Sequence, residues 1–133
     1  MMNDKELSTI LEKLTQELRR GSLVLATLSQ LQEPKYGYAL IDDLSKQGLN
    51  IEQGTLYPLL RRLEDQGLLQ SEWNVDGSRP RRYYVISSDG ARVLMALTTE
   101  WGQLAEVINR LLDDGSPSGD PSPTERNSYT TGE

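Results

Sequence analysis

The sequence predicts a mainly α fold that contains one small β-hairpin. Several stretches carry apolar residues at helical spacing, one central stretch switches to strict alternation, and a strong turn motif interrupts that alternation. The chain has 133 residues, of which 36% are hydrophobic, so one modest core with appended segments is feasible.

The first half of the chain predicts four helices. Residues 4–20 carry an apolar face made of Leu7, Ile10, Leu11, Leu14 and Leu18. Gly21 is expected to end this helix, and Ser22 to begin a second one that runs to about residue 31. Residues 36–47 and 52–66 predict the third and fourth helices, with Gly48 closing the third. Two helices joined by a short turn form a helix-turn-helix motif.

Pro58 falls inside the fourth predicted helix. Proline lacks a backbone donor and costs about 3 kcal/mol in a helix interior. We therefore expect either a local kink at this position or a helix that begins later than residue 52.

The apolar pattern then changes to a period of two. Residues 69–75 alternate, Asp76 and Gly77 form a turn signature, and residues 83–86 predict the returning strand. A hairpin directly after a helix-turn-helix is the wing of a winged helix. The expected fold class is thus a winged helix-turn-helix followed by a long C-terminal helix.

The last helix is expected to begin at Ser87 or Ser88 and to reach about residue 114. Its apolar residues follow a heptad-like seam made of Leu94, Leu97, Trp101, Leu104, Ile108 and Leu111. At 1.5 Å per residue this helix would be roughly 40 Å long, which so small a domain cannot easily cover by itself. We therefore expect the seam to form the interface of a homodimer.

The predicted organisation has four parts. Residues 1–20 form an N-terminal helix associated with the dimer, 21–87 the winged helix-turn-helix and 88–114 the dimerisation helix. Residues 115–133 contain mainly Gly, Ser, Pro, Thr and charged residues, and are expected to be a disordered acidic tail.

The charge is unevenly distributed along the chain. The net charge is −6, but residues 113–133 carry five acids against one arginine, whereas residues 35–86 hold seven basic and seven acidic side chains. The acidity is therefore concentrated in the tail, and the wing keeps a local basic cluster.

Composition also excludes several classes of function. The chain contains neither Cys nor His, which removes disulfides, thiolate chemistry, Cys/His metal sites and imidazole catalysis. We find no phosphate-binding loop and no paired carboxylates in an apolar setting, so an enzyme is disfavoured and neither metal nor cofactor is expected. No signal peptide or membrane span is evident, which predicts a cytoplasmic protein without a membrane partner.

The fourth helix is the candidate recognition helix. One arc holds four leucines that must face the core, and the opposite side presents residues able to reach a major groove: Thr55, Tyr57, Arg61 and Arg62, beside Gly54. The alternative is a solvated helix face on which the arginines pair with Glu64 or Asp65.

The hairpin tip is the second candidate DNA contact. Arg79, Arg81 and Arg82 cluster there, which suits a wing that touches phosphates or an A·T-rich minor groove. The alternative is a charged loop that only increases solubility.

A set of specific motifs runs through residues 21–90: Gly21-Ser-Leu, Lys35-Tyr-Gly-Tyr-Ala-Leu, Gly54-Thr-Leu-Tyr-Pro-Leu-Leu-Arg-Arg-Leu-Glu-Asp-Gln-Gly-Leu-Leu, Trp73, Arg81-Arg82-Tyr-Tyr-Val-Ile-Ser and Gly90. With these motifs the segment resembles the PadR family of bacterial transcription regulators. The resemblance implies a homodimer that binds double-stranded DNA at a palindromic operator. The DNA contacts that it implies are Tyr36, Thr55, Tyr57, Arg61, Arg79, Arg81 and Arg82. Glu52 departs from the family, which usually has Ser at this position before the recognition helix. A carboxylate there would repel phosphate.

The same resemblance gives Trp101 a second interpretation. In some short members of the family, a Trp on the dimer helix lines a flat apolar pocket that binds planar ligands. Here Trp101, Leu97 and Leu94 would line it, and a small aromatic effector would be the ligand. The alternative is that Trp101 only fills the seam.

Two hypotheses follow from the sequence. The first is a DNA-binding repressor that acts as a homodimer and is released by a small planar ligand. The second is a protein-interaction module or co-regulator on the same fold that no longer binds DNA. The overall acidity and Glu52 favour the second hypothesis, and the wing arginines oppose it.

Overall fold

A computed structural model describes residues 1–114. The element order is α1 Asp4–Gln30, β1 Lys35–Tyr36, α2 Gly37–Lys46, α3 Gln53–Asp65, β2 Leu69–Asn74, β3 Arg81–Ile86 and α4 Ser88–Asp114. This confirms the predicted fold class, which is mainly α with a small β-hairpin in a winged helix-turn-helix arrangement. The predicted acidic tail, residues 115–133, lies outside the described residues. The chain divides into two compact units, Met1–Thr98 and a second unit that begins at Thr99.

The first helix is longer than the sequence predicted. The expected break at Gly21 is wrong, because α1 is one helix of 27 residues from Asp4 to Gln30. It begins with a capping box in which the Asn3 side chain accepts a hydrogen bond from the Glu6 amide, and the Glu6 carboxylate accepts one from the Asn3 amide. A glycine inside a helix costs only about 1 kcal/mol relative to alanine, so the helical hydrogen-bond ladder continues through Gly21.

The core of the first unit lies between the end of α1, α2, α3 and the sheet. Its members are mainly leucines: Leu28, Leu31, Leu40, Leu44, Ile51, Leu56, Leu59, Leu60, Leu63, Leu69 and Tyr84. The inward arc of α3 is as predicted, because its four leucines are all buried. The core thereby fixes which face of α3 points outward.

Helix α2 ends as the sequence predicted, with Gly48 directly after its C-cap residue Gln47. Gly48 has a φ of 97°, a left-handed conformation that glycine adopts without a steric cost. Of the two alternatives for Pro58, a helix start delayed to the proline is wrong, because α3 begins at Gln53, well before Pro58, and runs through it. Pro58 and Gly54 are both exposed. Water can therefore bind the Gly54 carbonyl, which Pro58 leaves without a helical donor.

The sheet has one strand more than predicted. Its order is β1-β3-β2, and both neighbouring pairs are antiparallel. The extra strand β1 contains only Lys35 and Tyr36, which pair with Tyr84 and Tyr83. A two-residue strand is too short to produce an alternating pattern, so nothing in the sequence indicates it. β1 ties the start of α2 to the base of the wing.

The last helix spans Ser88–Asp114, as predicted. The Ser87 hydroxyl caps it by accepting a hydrogen bond from the Gly90 amide at 2.9 Å. Within the first unit, Leu94 and Leu97 are half-buried and pack against the core. In the described part of the chain, no helix has the length and apolarity needed to span a membrane.

Gly90→Ala should destabilise the protein. A Cβ at Gly90 would overlap the Leu68 carbonyl oxygen and would lie 2.7 Å from Ile86 Cγ1, so backbone would have to move. Overpacking of this kind costs about 1–3 kcal/mol. Thermal unfolding followed by circular dichroism should therefore give a lower Tm than for wild type.

Gly21→Ala is the matched control for this substitution. Nothing lies within 4 Å of a Cβ at Gly21, which is also a helical glycine. Its replacement should raise stability by about 0.5–1 kcal/mol. If Gly90→Ala were equally harmless, the close packing of α4 on residue 68 would be incorrect.

Candidate nucleic-acid interface

The outward face of α3 is exposed and basic. Gly54, Thr55, Arg61 and Arg62 are all exposed. Within residues 1–114, neither Arg61 nor Arg62 forms the ion pair with Glu64 or Asp65 that the alternative interpretation included, and Glu64 pairs with Arg82 instead. Two guanidinium groups therefore remain available on this face.

The beginning of α3 leaves backbone open to an approaching anion. Glu52 precedes the helix in an extended conformation and makes no side-chain capping hydrogen bond. A Cβ on Gly54 would meet nothing within 4 Å, so packing does not demand a glycine there. The missing side chain thus lets a partner come close to the helix N-terminus, where backbone amides favour anions.

Tyr57 joins the two helices of the helix-turn-helix motif. Its side chain is half-buried, and a Cβ built on Gly37 would lie 2.5–2.8 Å from the Tyr57 ring and hydroxyl. Gly37 begins α2, so the ring of Tyr57 occupies the space that a side chain at that helix start would need. The sequence predicted Tyr57 as a DNA contact, and the structure packs its ring against the start of α2.

The wing arginines point to opposite faces of the sheet. In the β2–β3 register, Arg82 lies opposite Trp73 and Arg81 lies opposite Asn74. Because neighbouring strand residues alternate between the two faces, Arg81 and Arg82 cannot serve the same surface. The sequence grouped them as one cluster, and the pleat separates them.

Arg81 lies on a face built from tyrosines. The rings of Tyr36 and Tyr38 stack with their centroids 5.8 Å apart, and the Arg81 guanidinium carbon lies 5.7 and 5.6 Å from them. Arg81 donates a hydrogen bond to the Tyr38 hydroxyl at 3.0 Å, and the Asn74 amide donates one to the Tyr36 hydroxyl at 2.7 Å. Arg81 stays exposed, so this packing orients its charge without covering it.

Sequence reasoning missed Tyr38 and Asn74. Tyr38 is 54% exposed beside Tyr36, yet a spacing of two residues at a helix start does not indicate that two rings stack. Asn74 is separated from Tyr36 by 38 positions, so only the sheet brings them together.

Arg82 lies on the opposite face, where other side chains of the protein bind its guanidinium group. Its Nη2 lies 3.1 Å from Glu64 Oε1, and its Nε donates to the Ser71 hydroxyl at 2.9 Å. The Ser71 hydroxyl in turn donates to Glu64 Oε2. The guanidinium carbon also lies 5.6 Å from the Trp73 ring centroid and 5.7 Å from that of Tyr84.

Two wing tyrosines stay protonated at neutral pH. The neighbouring Glu72 carboxylate raises the pKa of Tyr83, which donates a hydrogen bond to it. Burial, with a smaller contribution from Glu64, raises the pKa of Tyr84. Both phenols therefore remain neutral and add no negative charge to either face of the sheet.

Lys35 is neutralised by an acid of α2. Its Nζ lies 2.8 Å from Asp43 Oδ2, and this hydrogen bond lowers the pKa of the Asp43 carboxyl. The basic side chains of the motif and wing that have no carboxylate partner among the described residues are thus Arg61, Arg62, Arg79 and Arg81.

The predicted dimer seam is only partly exposed. In the second unit, the side chains of Trp101, Leu104, Ile108 and Leu111 are 51%, 55%, 43% and 62% exposed. Leu94 and Leu97, which belong to the first unit, are instead half-buried against its core. Val107 and Leu112 are further exposed apolar residues of α4 that the seam prediction did not include.

Comparisons with known proteins agree on one family. The model of the transcriptional regulator PadR-like family matches residues 24–96. The transcriptional regulator Rv3488 of Mycobacterium tuberculosis is 36% identical over 97 residues, which cover 72% of this chain and 88% of that protein. The crystal structure of a PadR family transcriptional regulator from Eggerthella lenta is 49% identical with a TM-score of 0.77, and the match covers 81% of this chain and 96% of that one. A PadR-like regulator from Bacillus cereus is 30% identical with a TM-score of 0.64, covering 72% and 96% of the two chains.

Gly37→Ala should strain the contact between α2 and α3. The new methyl group would overlap the Tyr57 ring, which costs about 1–3 kcal/mol when a well-packed site is overfilled. Denaturant unfolding should give a lower free energy of unfolding for this variant.

A double-mutant cycle tests whether the Tyr57 ring causes that cost. In a Tyr57→Ala background, Gly37→Ala should cost far less, because the overlapping ring is gone. Additive costs in the double variant would mean that the strain at Gly37 has another source.

Proposed function

This chain belongs to the PadR-like family of transcriptional regulators, and we propose that it is a repressor that binds a palindromic operator as a homodimer. The observation that carries the DNA-binding part is the set of unpaired arginines on the outward face of α3 and on the wing: Arg61, Arg62, Arg79 and Arg81. Cations without carboxylate partners are available to phosphates, despite the net charge of −6.

Each DNA-contact residue has a proposed role. Thr55 and Arg61 reach base edges or phosphates in the major groove, with Arg62 beside them. Arg79 and Arg81 contact phosphates or the minor groove from the wing. Tyr36 supports Arg81 through its ring, and Tyr57 holds α2 against α3.

The homodimer proposal rests on apolar faces that the described residues leave uncovered. On α4 these are Trp101, Leu104, Ile108 and Leu111, and on α1 they are Leu7, Ile10, Leu11, Leu14 and Leu18. We propose residues 88–114 as the dimerisation helix and residues 1–20 as a segment associated with the partner. Residues 21–87 form the DNA-binding part, and residues 115–133 an acidic tail. A two-fold axis would place the two recognition helices on half-sites about 34–36 Å apart.

We also propose release by a small aromatic effector. The exposed indole of Trp101 supports this part of the proposal, because a flat ring favours planar ligands. Leu94 and Leu97, the other residues predicted to line the ligand pocket, are half-buried against the core of the first unit. They would therefore offer a ligand only the part of each side chain that is exposed. The protein would act in the cytoplasm, where its DNA target lies.

A protein-interaction module remains the second candidate function. It is favoured by Glu52, an exposed carboxylate at the very start of α3. A negative charge there opposes phosphate binding at the helix N-terminus. Absence of DNA binding by the wild-type protein would select this candidate.

Arg79→Gln/Arg81→Gln should weaken DNA binding. The measurement is a titration of labelled DNA from the region upstream of the protein's own gene, at several salt concentrations. The slope of log K against log salt should fall in magnitude by about 0.9 for each phosphate that the variant no longer neutralises. The affinity for this DNA should fall with it.

The control is Arg92→Gln, which removes a positive charge outside the proposed interface. Arg92 pairs with Asp89 at 3.5 Å and is highly exposed. This variant should keep the wild-type slope. Equally weakened binding in both variants would attribute the effect to net charge and would contradict a wing contact.

Leu104→Asp/Ile108→Asp should produce monomers. Each substitution would bury an unpaired charge in an apolar interface, which is strongly unfavourable. Sedimentation equilibrium should then give a mass near 15.0 kDa, half of that expected for the wild-type dimer.

Gln103→Asp/Asn109→Asp serves as the matched control on the same helix. It adds the same charge at exposed polar positions and should leave the dimer intact. A dimer that survived the Leu104 and Ile108 substitutions would place the interface elsewhere.

A further inference from the structure

We infer that Glu64, Ser71 and Arg82 form a clamp that fixes the wing to the recognition helix, so that Arg82 is a positioning residue for DNA binding rather than a phosphate ligand. This inference rests on the proposed DNA-binding function. It separates Arg82 from Arg81, its neighbour in the sequence, and gives Glu64 a role that favours DNA binding although its charge opposes it.

The clamp occupies the Nε–Nη2 edge of the Arg82 guanidinium group. Arg82 Nη2 lies 3.1 Å from Glu64 Oε1, and Nε lies 2.9 Å from Ser71 Oγ. Ser71 donates its own proton to the other oxygen of Glu64. The Nε–Nη2 edge, one of the two edges that can bind a phosphate bidentately, is therefore already used, and Arg82 would have to release Glu64 and Ser71 to offer it.

Two aromatic rings restrict Arg82 further. The guanidinium carbon lies 5.6 Å from the Trp73 centroid and 5.7 Å from the Tyr84 centroid. Each distance is within the range of a cation–π interaction. Trp73 lies opposite Arg82 in the strand register and Tyr84 follows two residues later, so all three side chains share one face.

Among the ion pairs of the described residues, Glu64–Arg82 connects α3 with β3, whereas three of the others link residues three or four apart on one helix. The side chains of Arg82 and Glu64 are 37% and 25% exposed, against 72% and 63% for the Lys46–Asp42 pair. A partly buried, hydrogen-bonded pair is screened less by salt than an exposed one. Breaking it leaves a partly desolvated charge without its partner.

The clamp connects α3 with β3, and we expect it to control the order of the wing and the direction of Arg81. An isolated two-stranded hairpin is marginally stable, and β1 contributes only two residues at its base. Holding Arg82 against α3 fixes the pleat of β3, and the pleat directs Arg81 to the opposite face. The wing is then already ordered before DNA arrives, which avoids an entropy cost on binding.

Glu64→Gln distinguishes a phosphate-binding from a positioning role of Arg82, because the two roles predict opposite changes in DNA affinity. If Arg82 binds phosphate, removing the Glu64 carboxylate releases Arg82 and deletes a repulsive charge, so DNA affinity should rise. If the clamp positions the wing, affinity should fall, by about fivefold to tenfold, which corresponds to the net contribution of one typical intramolecular hydrogen bond. Asp65→Asn is the matched control, because it removes the same charge from the next position of α3 and should not weaken binding.

Arg82→Gln and the Glu64→Gln/Arg82→Gln double variant complete the cycle. Both should bind DNA about as weakly as Glu64→Gln alone, because each breaks the same clamp. Arg82→Lys should restore part of the affinity, since an ammonium can still pair with Glu64. Tighter binding by Glu64→Gln, or additive effects in the double variant, would overturn the inference.

Hydrogen exchange of the DNA-free protein provides a readout that does not depend on the proposed function. The β2 and β3 amides should exchange faster in Glu64→Gln and Arg82→Gln than in wild type or Asp65→Asn, while the amides of α2 keep their protection. Unchanged exchange in both clamp variants would overturn the inference. If wild type failed to bind DNA while the clamp variants exchanged faster, the proposed function would fail and the structural clamp would stand.

Discussion

Burial of the leucine arc of α3 is the constraint on which the rest of this structure depends. Leu56, Leu60 and Leu63 are almost fully removed from water between α1, α2 and the sheet. A helix has a fixed angular relation between its residues, so burying one arc also determines the opposite arc. Thr55, Arg61 and Arg62 therefore face outward as a consequence of apolar packing, and α3 can tolerate Pro58 because its exposed position lets water complete the backbone hydrogen bonding.

In the wing, the pleat of β3 determines the direction of each side chain, as the buried arc does in α3. The β3 strand carries two adjacent arginines, and its pleat assigns them to different environments. Arg81 rests on the rings of Tyr36 and Tyr38 with its charge open to a partner, whereas Arg82 is held by Glu64 and Ser71. Because the same strand carries both, the contact that immobilises one side chain also orients the other.

Local pairing of charges reconciles an acidic protein with a nucleic-acid partner. Lys35 and Arg82 are matched by Asp43 and Glu64, which leaves the arginines of α3 and of the hairpin tip as the basic groups without carboxylate partners in the described region of the motif and wing. Phosphate binding depends on such local groups, since fields from exposed charges farther than about 8–10 Å are largely screened at physiological ionic strength. The net charge of the chain therefore says less about its partner than the pairing of individual side chains.

The sequence by itself determined α2, α3, α4, the hairpin and the outward arc of α3, because helical and strand periodicity depend only on the spacing of apolar residues. It also identified the family, through motifs that are local in the chain. Only the tertiary structure decided that α1 continues through Gly21, that β1 exists, and that Glu64 binds Arg82 from 18 positions away. β1 and the Glu64–Arg82 pair depend on contacts between distant segments, which leave no periodic trace, whereas α1 continues because a helical glycine costs too little to end it. The two adjacent wing arginines look equivalent in the sequence, and they differ in the fold because the pleat places one against α3 and the other against the tyrosines.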